Sequence, residues 1–587
     1  MATKTIFNEY LYGDLLAPAP GYSTDFACGM TYSLSFEALL TAYLAFGMQG
    51  ETDGLADDSK QLLLEAITKS SDKVVMFCNK GNIAVPRTIR KEFSLMEDNI
   101  FEVFDKNNIR ANFHPKLWLI REVSDNNSND ILLKLIVTSR NMSYSDHLDC
   151  VACLRGKVVS NPPDVSKHRQ LANFIREIAE ASNIGKRRIN DVLRLAADVE
   201  RIERFDVDPP FDDYDFFPYL FNKDFGLGDI SDYLVGNESI IVSPFIDKTT
   251  IGRLAPDDNS RRCLITRKEY VDDFIFNRFA ERGGVYITLD DLASRHMDLH
   301  AKMYYVWKNR DEQYLFLGSA NATNAAFSRN GEFLLRLKYK HGNKHAADFL
   351  SSFYEADSSD SKFMPMNEPV ATPPEPAKWD EAESAMKVFM CADDLMAEIK
   401  PQSGEGYMVS VTSATVSSHR AELFIAPLQR PELKQLWTGK AIFENIAMAE
   451  LSEFYLLSAT DADNVSHHTV IKIATTGMPA ERDSRIYGNL IKSDKDFYRF
   501  IELLLTDAPA HFIANELIQH SDADSGGHSD KNGFSCQGLY ETLLRTAATR
   551  PAQIRALEQL IAKLGREVVP ESFSHIYKQL ITAISRH

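Results

Sequence analysis

The chain carries one block of chemically useful residues twice, and this internal repeat restricts the possible folds more than any other feature of the sequence. Each copy contains a histidine followed two positions later by a lysine, then an apolar segment, a Ser-x-Asn tripeptide and, further on, a carboxylate. These residues are His114, Lys116, Ser139, Asn141 and Asp149 in the first copy and His300, Lys302, Ser319, Asn321 and Glu332 in the second. Of the 15 histidines, only these two have a lysine two positions on, so the repeat predicts two similar structural units.

The His-x-Lys spacing predicts a shared pocket. On a β-strand, residues i and i+2 point to the same face, so an imidazole and an ammonium project side by side. Small residues at the end of the following strand let the backbone approach a ligand closely, and an asparagine amide supplies hydrogen bonds. If the two copies face each other, one cleft holds two histidines, two lysines and two asparagines, and neither a metal nor another cofactor is required.

This set of side chains suits the cleavage of a phosphodiester. One imidazole can attack phosphorus to form a phosphohistidine, while the other protonates the leaving oxygen and then activates water. The lysines and asparagines would hold the non-bridging oxygens, and the carboxylates, with the serines beside them, would orient the imidazole rings. The residues alone do not decide which histidine takes which part.

The paired motifs resemble those of the phospholipase D superfamily over about residues 60–350. The sequence Asn330-Gly-Glu332 after the second Ser-x-Asn also resembles the second motif of that superfamily. The full superfamily motif has an aspartate five residues after each lysine, where this chain has Arg121 and Trp307. The chain is therefore more similar to the branch that includes tyrosyl-DNA phosphodiesterases and metal-independent nucleases. The resemblance favours the first-copy histidine as the nucleophile and the second as the general acid.

The resemblance implies an α/β protein in which two pseudo-symmetric phospholipase D-like α/β/α halves form one shared active site. The order of segments agrees with this fold class, because short apolar strand-like segments alternate with helical patterns as far as about residue 350. The strand-like segments lie at 73–78, 113–120, 131–137, 239–244, 263–266, 285–289, 299–306 and 314–317, and a helical pattern covers 168–204.

A segment rich in proline, serine and acidic residues predicts a linker before a smaller C-terminal domain, which is β-rich with helices behind it. In that domain, strand-like segments at 407–416, 421–426, 451–457 and 469–474 precede helical patterns at 494–505 and 539–564. The predicted divisions are a first half at 1–160, a helical connection at 161–205, a second half at 206–354, the linker at 355–382, a β-rich domain at 383–510 and a helical tail at 511–587.

Charge and cysteine content limit the partners and the compartment. The net charge of −18 argues against a protein that coats nucleic acid non-specifically, because a polyanion would be repelled at long range. Seven scattered cysteines do not form a disulfide scaffold, and the lone Cys150-x-x-Cys153 predicts reduced core cysteines. Residues 30–48 are interpreted as a buried amphipathic helix and not as a membrane span, so we expect a cytoplasmic protein without a membrane anchor.

Several other residues attract attention. Arg140, Arg267 and Lys268 could contact a phosphate near the cleft and are weaker candidates for substrate binding. The conspicuous residues that we expect to be structural are the basic run at 186–188 as a solvated helix start, Trp118 as a core residue, and His467-His468 as a surface pair.

The favoured hypothesis is a metal-independent phosphodiesterase, in particular a nuclease that cleaves DNA through a phosphohistidine. Resemblance to bacterial phospholipase D-like proteins suggests a role in defence against foreign DNA. One alternative is a non-catalytic nucleic-acid-binding subunit whose acidic C-terminal part docks a helicase-type partner. A second alternative is a phospholipid phosphodiesterase, although no membrane span, amphipathic basic helix or polybasic patch supports a membrane substrate.

Overall fold

The computed structural model describes residues 12–47, 60–143, 147–162, 166–221, 223–224, 230–294, 297–340, 346–351, 353–354, 361–370, 380–404, 406–414, 421–505, 543–547, 554, 557–558, 560–561, 564 and 568–584. The strands of these ranges form a seven-stranded sheet, a nine-stranded sheet and two four-stranded sheets.

The seven-stranded sheet is built from residues 22–206. Its strands are β1 (Tyr22–Thr31), β2 (Val74–Asn79), β3 (Ile100–Val103), β4 (Leu117–Ser124), β5 (Asn127–Thr138), β6 (Val151–Val158) and β7 (Ile202–Asp206). They are arranged in the order β3-β2-β1-β4-β5-β6-β7, with β1, β2 and β3 parallel and the other neighbours antiparallel. Every residue of β2 is buried, as expected for an inner parallel strand that is covered on both faces.

The nine-stranded sheet follows between residues 211 and 365. Its strands are β8 (Phe211–Leu220), β9 (Lys223–Asp224), β10 (Glu238–Val242), β11 (Arg261–Thr266), β12 (Val285–Thr288), β13 (Met303–Asn309), β14 (Glu312–Gly318), β15 (Glu332–Tyr339) and β16 (Phe363–Pro365). They are arranged in the order β16-β12-β11-β10-β13-β14-β15-β8-β9, with β10, β11 and β12 parallel.

The strand pairings of the first sheet recur in the second. β1 pairs in parallel with β2 and antiparallel with β4, and β10 pairs in parallel with β11 and antiparallel with β13. The antiparallel series β4-β5-β6 likewise corresponds to β13-β14-β15. As a result, both His-x-Lys segments enter a sheet at the same topological position, because each leads into the central strand of its sheet, β4 or β13.

Fifteen helices can be delimited in the described residues, and those before residue 355 accompany the two large sheets. They are α1 (Tyr12–Leu16), α2 (Phe36–Gly47), α3 (Lys60–Ser70), α4 (Ser166–Ala181), α5 (Lys186–Glu200), α6 (Ile230–Leu234), α7 (Lys248–Leu254), α8 (Asp273–Phe279), α9 (Asp290–Ser294), α10 (Asn324–Ser328), α11 (Ala346–Leu350), α12 (Glu381–Met390), α13 (Arg482–Leu490), α14 (Asp494–Leu505) and α15 (Glu571–Ile584).

One hydrophobic core joins the two large sheets. It contains buried side chains from both, such as Leu135 of β5 and Leu335 of β15, together with residues of α4 and α5. The rings of Phe174 on α4 and Phe333 on β15 lie 6.0 Å apart at this junction. Because burial of apolar surface is the main favourable term in folding, this common core fixes the sheets relative to each other.

The C-terminal domain is β-rich, as its strand-like segments predict. Its strands are β17 (Met396–Pro401), β18 (Tyr407–Thr412), β19 (Glu422–Pro427), β20 (Gln435–Leu436), β21 (Lys440–Ile446), β22 (Phe454–Thr460), β23 (Ser466–Lys472) and β24 (Thr475–Thr476). They form two sheets, β21-β18-β17-β24 and β20-β19-β22-β23. Helix α12 packs into their common core, where the ring of Phe389 lies 4.8 Å from that of Trp437.

A buried carboxylate attaches this domain to the first sheet. Glu97, in the 3₁₀ helix Lys91–Asn99 before β3, accepts from Ser452 Oγ at 2.6 Å and from the backbone N–H of Glu453 at 2.7 Å. Arg482 of α13 forms an ion pair with the same side chain. A buried charge is tolerated only when it is paired and hydrogen-bonded, so these contacts specify one docking position.

Two predictions about local structure were wrong. Residues 30–48 do not form one helix, because Met30 and Thr31 end β1 and α2 begins only at Phe36. The helical pattern at 168–204 contains two helices, and the strand β7 follows them and joins the first sheet. Pairing with distant strands decides these boundaries, and local periodicity does not report it.

The predicted linker at 355–382 is not a simple spacer. It contains β16, which pairs antiparallel with β12 at the edge of the second sheet, and α12 begins before it ends. Residues 355–360 and 371–379 of this segment lie outside the described residues, as does the predicted helical tail between 511 and 542. Helices α13, α14 and α15 share a small core with Leu64 of α3, so these last helices pack against a helix of the first large sheet's region.

None of the helices in the described part of the chain combines the length and the apolar composition that crossing a membrane requires.

Gly318 provides a test of the strand arrangement beside the second Ser-x-Asn tripeptide. It ends β14 with φ of +154°, and a Cβ at this position would overlap the carbonyl oxygen of Phe333 on β15. We expect Gly318→Ala to lower the free energy of unfolding by about 1–3 kcal/mol in urea denaturation, because β15 would have to shift. Gly252→Ala on α7, where a Cβ meets nothing within 4 Å, is the control and should not destabilise the protein. Equal stability of the two variants would contradict this expectation.

Candidate active site

The two His-x-Lys segments lie immediately before β4 and β13, whereas the sequence pattern predicted that they lie within strands. The segment before β4 is held by a parallel bridge between Phe113 and Gly331, next to the second-copy carboxylate. The segment before β13 is held by the matching bridge between Leu148 and Leu299, next to the first-copy carboxylate. These bridges bring the histidine of each copy to the carboxylate of the other.

Each histidine forms a hydrogen bond with the carboxylate of the other copy. His114 Nδ1 lies 2.9 Å from Glu332 Oε2, and His300 Nδ1 lies 2.8 Å from Asp149 Oδ1. Because a carboxylate accepts, Nδ1 of each neutral ring carries the proton and Nε2 keeps its lone pair. The sequence predicted that carboxylates orient the rings, but it did not predict that the pairs cross between the copies.

The serine of each Ser-x-Asn tripeptide holds a carboxylate in place. Ser139 Oγ donates to Asp149 Oδ1 at 2.6 Å, and Ser319 Oγ donates to Glu332 Oε2. In both copies this carboxylate oxygen also bonds to a histidine. Each serine hydroxyl in turn accepts, at 3.0 Å, from the backbone N–H of the residue that follows the carboxylate residue. This is the geometry that an orienting role requires.

Both lysines are buried beside their histidines. Lys116 Nζ donates to the carbonyl oxygen of His114 at 3.1 Å, and Lys302 Nζ donates to that of His300 at 2.6 Å. Burial lowers the pKa of Lys302 to about 8. Burial and the charge of Lys302 lower the pKa of Lys116 as well. When both lysines are protonated, the two ammonium groups repel each other in a buried region, and a nearby anion would relieve that repulsion.

Burial also dominates the ionisation of the imidazoles. It lowers the pKa of His114 to about 4 and that of His300 to about 4, against the opposing effect of their carboxylate partners. Burial by itself would raise the pKa of Asp149 and of Glu332, but hydrogen bonds and nearby positive charge outweigh it and lower the pKa of both. Near neutral pH the rings are neutral and the carboxylates are charged. The histidine side chains keep 14% and 15% of their surface exposed, so a ligand can reach them.

The two asparagines each present an unpaired atom. Asn141 Oδ1 and Asn321 Oδ1 are buried and have no hydrogen-bond partner among the described residues. The backbone N–H of the residue after each asparagine donates at 2.9 Å to a hydroxyl, that of Thr31 in the first copy and that of Ser243 in the second. Buried polar atoms are nearly always paired, so an unpaired amide at the same position of both copies is suited to a ligand.

The weaker substrate-binding candidates occupy different environments. Arg267 Nε donates to the backbone carbonyl of Leu299 at 3.0 Å and lies 3.2 Å from Asp298. Arg267 therefore braces the segment that leads to His300, a role that the sequence did not predict. Lys268 is exposed at the start of a short 3₁₀ helix, and Arg140 is half-buried.

The residues expected to be structural can be assigned directly. Trp118 is 2% exposed and packs edge to face on Phe46, which confirms it as a core residue. The basic run at 186–188 begins α5 as predicted, but Arg188 is buried and donates to a backbone carbonyl at 2.8 Å. Solvation was therefore the wrong prediction for that residue. His467, on β23, bonds to an aspartate at 2.6 Å, and the described ranges contain no group of three or more potential metal ligands.

Two aromatic residues outside the predicted set lie against the histidines. The ring of Tyr32 is centred 5.1 Å from that of His114, and the ring of His147 is centred 5.7 Å from that of His300 and nearly parallel to it. His147 could have been found, because it stands two positions before Asp149 in an extended segment. Tyr32 belongs to neither motif copy, and nothing in its local sequence marks it.

Comparison with known proteins gives limited similarity. No protein family matches the chain, and no curated protein matches it in sequence. A crystal structure of yeast tyrosyl-DNA phosphodiesterase matches with 12% identity and a TM-score of 0.34, over 56% of this chain and 87% of that chain. A mutant of the yeast enzyme matches with 11% identity and a TM-score of 0.35, over 59% and 88% respectively. At these values the chemistry has to be derived from the geometry of the site.

The crossed pairs make a prediction about the histidines in solution. Asp149→Asn keeps the size of the side chain but removes its charge, so it should change the ¹⁵N signals and titration of the His300 ring. The His114 ring, which belongs to the same motif copy as Asp149, should be unaffected. Glu332→Gln is the reciprocal variant and should change His114 alone. Long-range ¹H–¹⁵N spectra of histidine-labelled protein measure both effects, and a response within the same copy would contradict the crossed arrangement.

Proposed function

We propose that the chain is a phosphodiesterase of the phospholipase D type and that its substrate is nucleic acid, with DNA favoured. In this proposal the two large sheets and their helices are pseudo-symmetric halves that share one active site. The observation that carries the proposal is the pair of bonds, 2.9 Å and 2.8 Å long, by which each copy supplies the carboxylate for the other copy's histidine. Two independent sites would not need this exchange.

The first step forms a covalent intermediate. Following the motif resemblance, we assign the attack on phosphorus to Nε2 of His114, whose Nδ1–H is held by Glu332. A P–N bond forms as the P–O bond to the leaving group breaks, and the leaving oxygen takes the proton from Nε2 of the His300 imidazolium. The products of this step are a phosphohistidine and a free hydroxyl.

Water completes the reaction. His300, which is neutral after the first step, accepts a proton from water as the water oxygen bonds to phosphorus. The P–N bond breaks and its electron pair returns to Nε2 of His114, while His300 is left protonated for the next cycle. In the proposed sequence neither step uses a metal or another cofactor.

The buried cations support binding and the transition state. A phosphate between Lys116 and Lys302 would relieve their mutual repulsion, and in a water-poor site each contact is stronger than it would be in solution. The amides of Asn141 and Asn321 can rotate to donate N–H groups to the non-bridging oxygens. The negative charge of the substrate would also favour the imidazolium form of His300, which the free protein disfavours.

The substrate preference, the biological role, the partner and the location in this proposal do not follow from the geometry of the site. The preference for DNA, the role in defence and the helicase-type partner follow from the motif resemblance, and the cytoplasmic location follows from the cysteine content. A non-catalytic nucleic-acid-binding subunit and a phospholipid phosphodiesterase remain the competing functions. Both copies retain the histidine, the lysine and the asparagine, which favours an enzyme over a binding subunit.

Metal-independent cleavage is the direct test. The purified chain should cleave DNA in the presence of EDTA, and acid quenching should trap a covalent adduct. His114→Ala and His300→Ala should each reduce the rate by about 10²- to 10⁴-fold or more, because each removes a group that bonds or transfers a proton in the reaction. His468→Ala, an exposed histidine on β23 of the C-terminal domain, is the matched control and should keep wild-type activity.

Three outcomes would contradict the proposal in different ways. Cleavage that survives the loss of either imidazole would exclude the shared site. DNA that binds without cleavage or adduct would support the non-catalytic subunit. Turnover of phosphatidylcholine vesicles without cleavage of DNA would support the phospholipid phosphodiesterase.

The lowered pKa values predict how the rate depends on pH. With a p-nitrophenyl phosphodiester, which needs no acid, single-turnover kcat/KM should be constant from about pH 5 to about pH 7. It should fall below about pH 4, where His114 becomes charged, and above about pH 8, where Lys302 loses its charge. Cleavage of DNA needs a protonated His300 to donate a proton to the leaving oxygen, so kcat/KM for DNA should fall with rising pH above about pH 5. Identical profiles for the two substrates would contradict the assigned roles.

A further inference from the structure

The two histidines are supported by different parts of the molecule. The residue two positions before each of them is a polar anchor, Asn112 in the first copy and Asp298 in the second. Asp298 is held from within its own sheet, by Thr288 Oγ1 at 2.9 Å and by Arg267 at 3.2 Å. Asn112 Oδ1 instead accepts from Nζ of Lys387 at 3.3 Å, and Lys387 lies on α12 of the C-terminal domain.

From Asn112 the hydrogen bonds continue as far as His114. The backbone N–H of Asn112 donates to Asn330 Oδ1 at 3.2 Å. Asn330 Nδ2 donates at 3.4 Å to Glu332 Oε1, the oxygen that His114 does not use. Glu332 Oε2 completes the path to His114 Nδ1. We call this path, Lys387–Asn112–Asn330–Glu332–His114, the Lys387 relay.

Among the described residues, His300 has no equivalent of the Asn112–Asn330 part of this relay. The position that matches Asn330, two before the carboxylate, is His147, which stacks on the ring of His300. Asp149 Oδ2 is buried without a hydrogen-bond partner among the described residues, whereas Glu332 has both oxygens engaged. The duplicated site is therefore asymmetric in its support.

A second connection joins the same domain to the same side of the site. Val470 of β23 pairs with Ile83, Ile83 pairs with Leu34, and Leu34 pairs with Met142, the residue after Asn141. The C-terminal domain is thus connected by backbone bridges to the residue after the first-copy asparagine, and by the Lys387 relay to the first-copy histidine.

We propose that Lys387 is a positioning residue, through which the C-terminal domain holds the Glu332–His114 pair in its working geometry. This inference rests on the proposed function and adds a means of regulation to it. A partner or ligand that moves α12 changes the geometry of His114 and leaves that of His300, which Arg267 braces from within the second sheet.

The test compares Lys387→Met with Lys387→Arg in the full chain. Lys387→Met removes the donor, so it should lower the rate of adduct formation from a p-nitrophenyl phosphodiester by about threefold to thirtyfold. It should also change the ¹⁵N signals of the His114 ring and leave those of His300 as in the wild type. Lys387→Arg keeps a donor and should recover most of the lost rate. Lys440→Met, an exposed lysine of the same domain, is the matched control and should have no effect.

A reciprocal variant distinguishes loss of the Lys387 contact from a general loosening of the protein. Arg267→Met should change the His300 signals and leave those of His114, so a general loosening of the protein, which would change both rings, is distinguishable. Wild-type adduct formation and wild-type His114 signals in Lys387→Met would overturn the inference. If the wild-type chain forms no adduct at all, the proposed function fails, while the ring signals still decide whether the relay exists.

Discussion

The crossed hydrogen bonds between imidazole and carboxylate are the interaction on which the rest of the site depends. His114 and Glu332 are 218 positions apart, and His300 and Asp149 are 151 positions apart. Neither histidine can be oriented by a carboxylate of its own motif copy in this arrangement. The crossed pairs therefore exist only when both large sheets have formed and packed on their common core.

Burial determines the electrostatic state of the site. Six ionisable groups, from the two histidines, two lysines and two carboxylates, lie in a region that disfavours charge. The carboxylates stay charged because serine hydroxyls, imidazoles and lysines stabilise them, while the imidazoles become neutral. The lysines retain a repulsion that an anionic ligand can relieve. A neutral imidazole with a free Nε2 beside buried positive charge is the arrangement that nucleophilic attack on a phosphate diester needs.

The duplication provides equivalent reactive groups, and the surrounding structure makes them unequal. Arg267 supports the His300 side from within the second sheet, whereas Lys387 supports the His114 side from the C-terminal domain. Tyr32 and His147, each in contact with one histidine, add to the difference. Burial lowers the pKa of both imidazoles to about 4, so the difference lies in how each ring is held. A two-step reaction with distinct roles would use such a difference.

The sequence by itself determined the α/β alternation, the two motif copies and the identity of the side chains that meet at the site. These features depend on residue type and on spacing within about thirty positions, which a single chain displays directly. Only the tertiary structure decided that the His-x-Lys segments precede their strands, that β1 replaces the start of a predicted helix, and that the histidine–carboxylate pairs cross. It also decided that Arg188 is buried and that Lys387 reaches the site. Each of these depends on which distant segments pack together, and that choice is made by the burial of a common core, which no local pattern encodes.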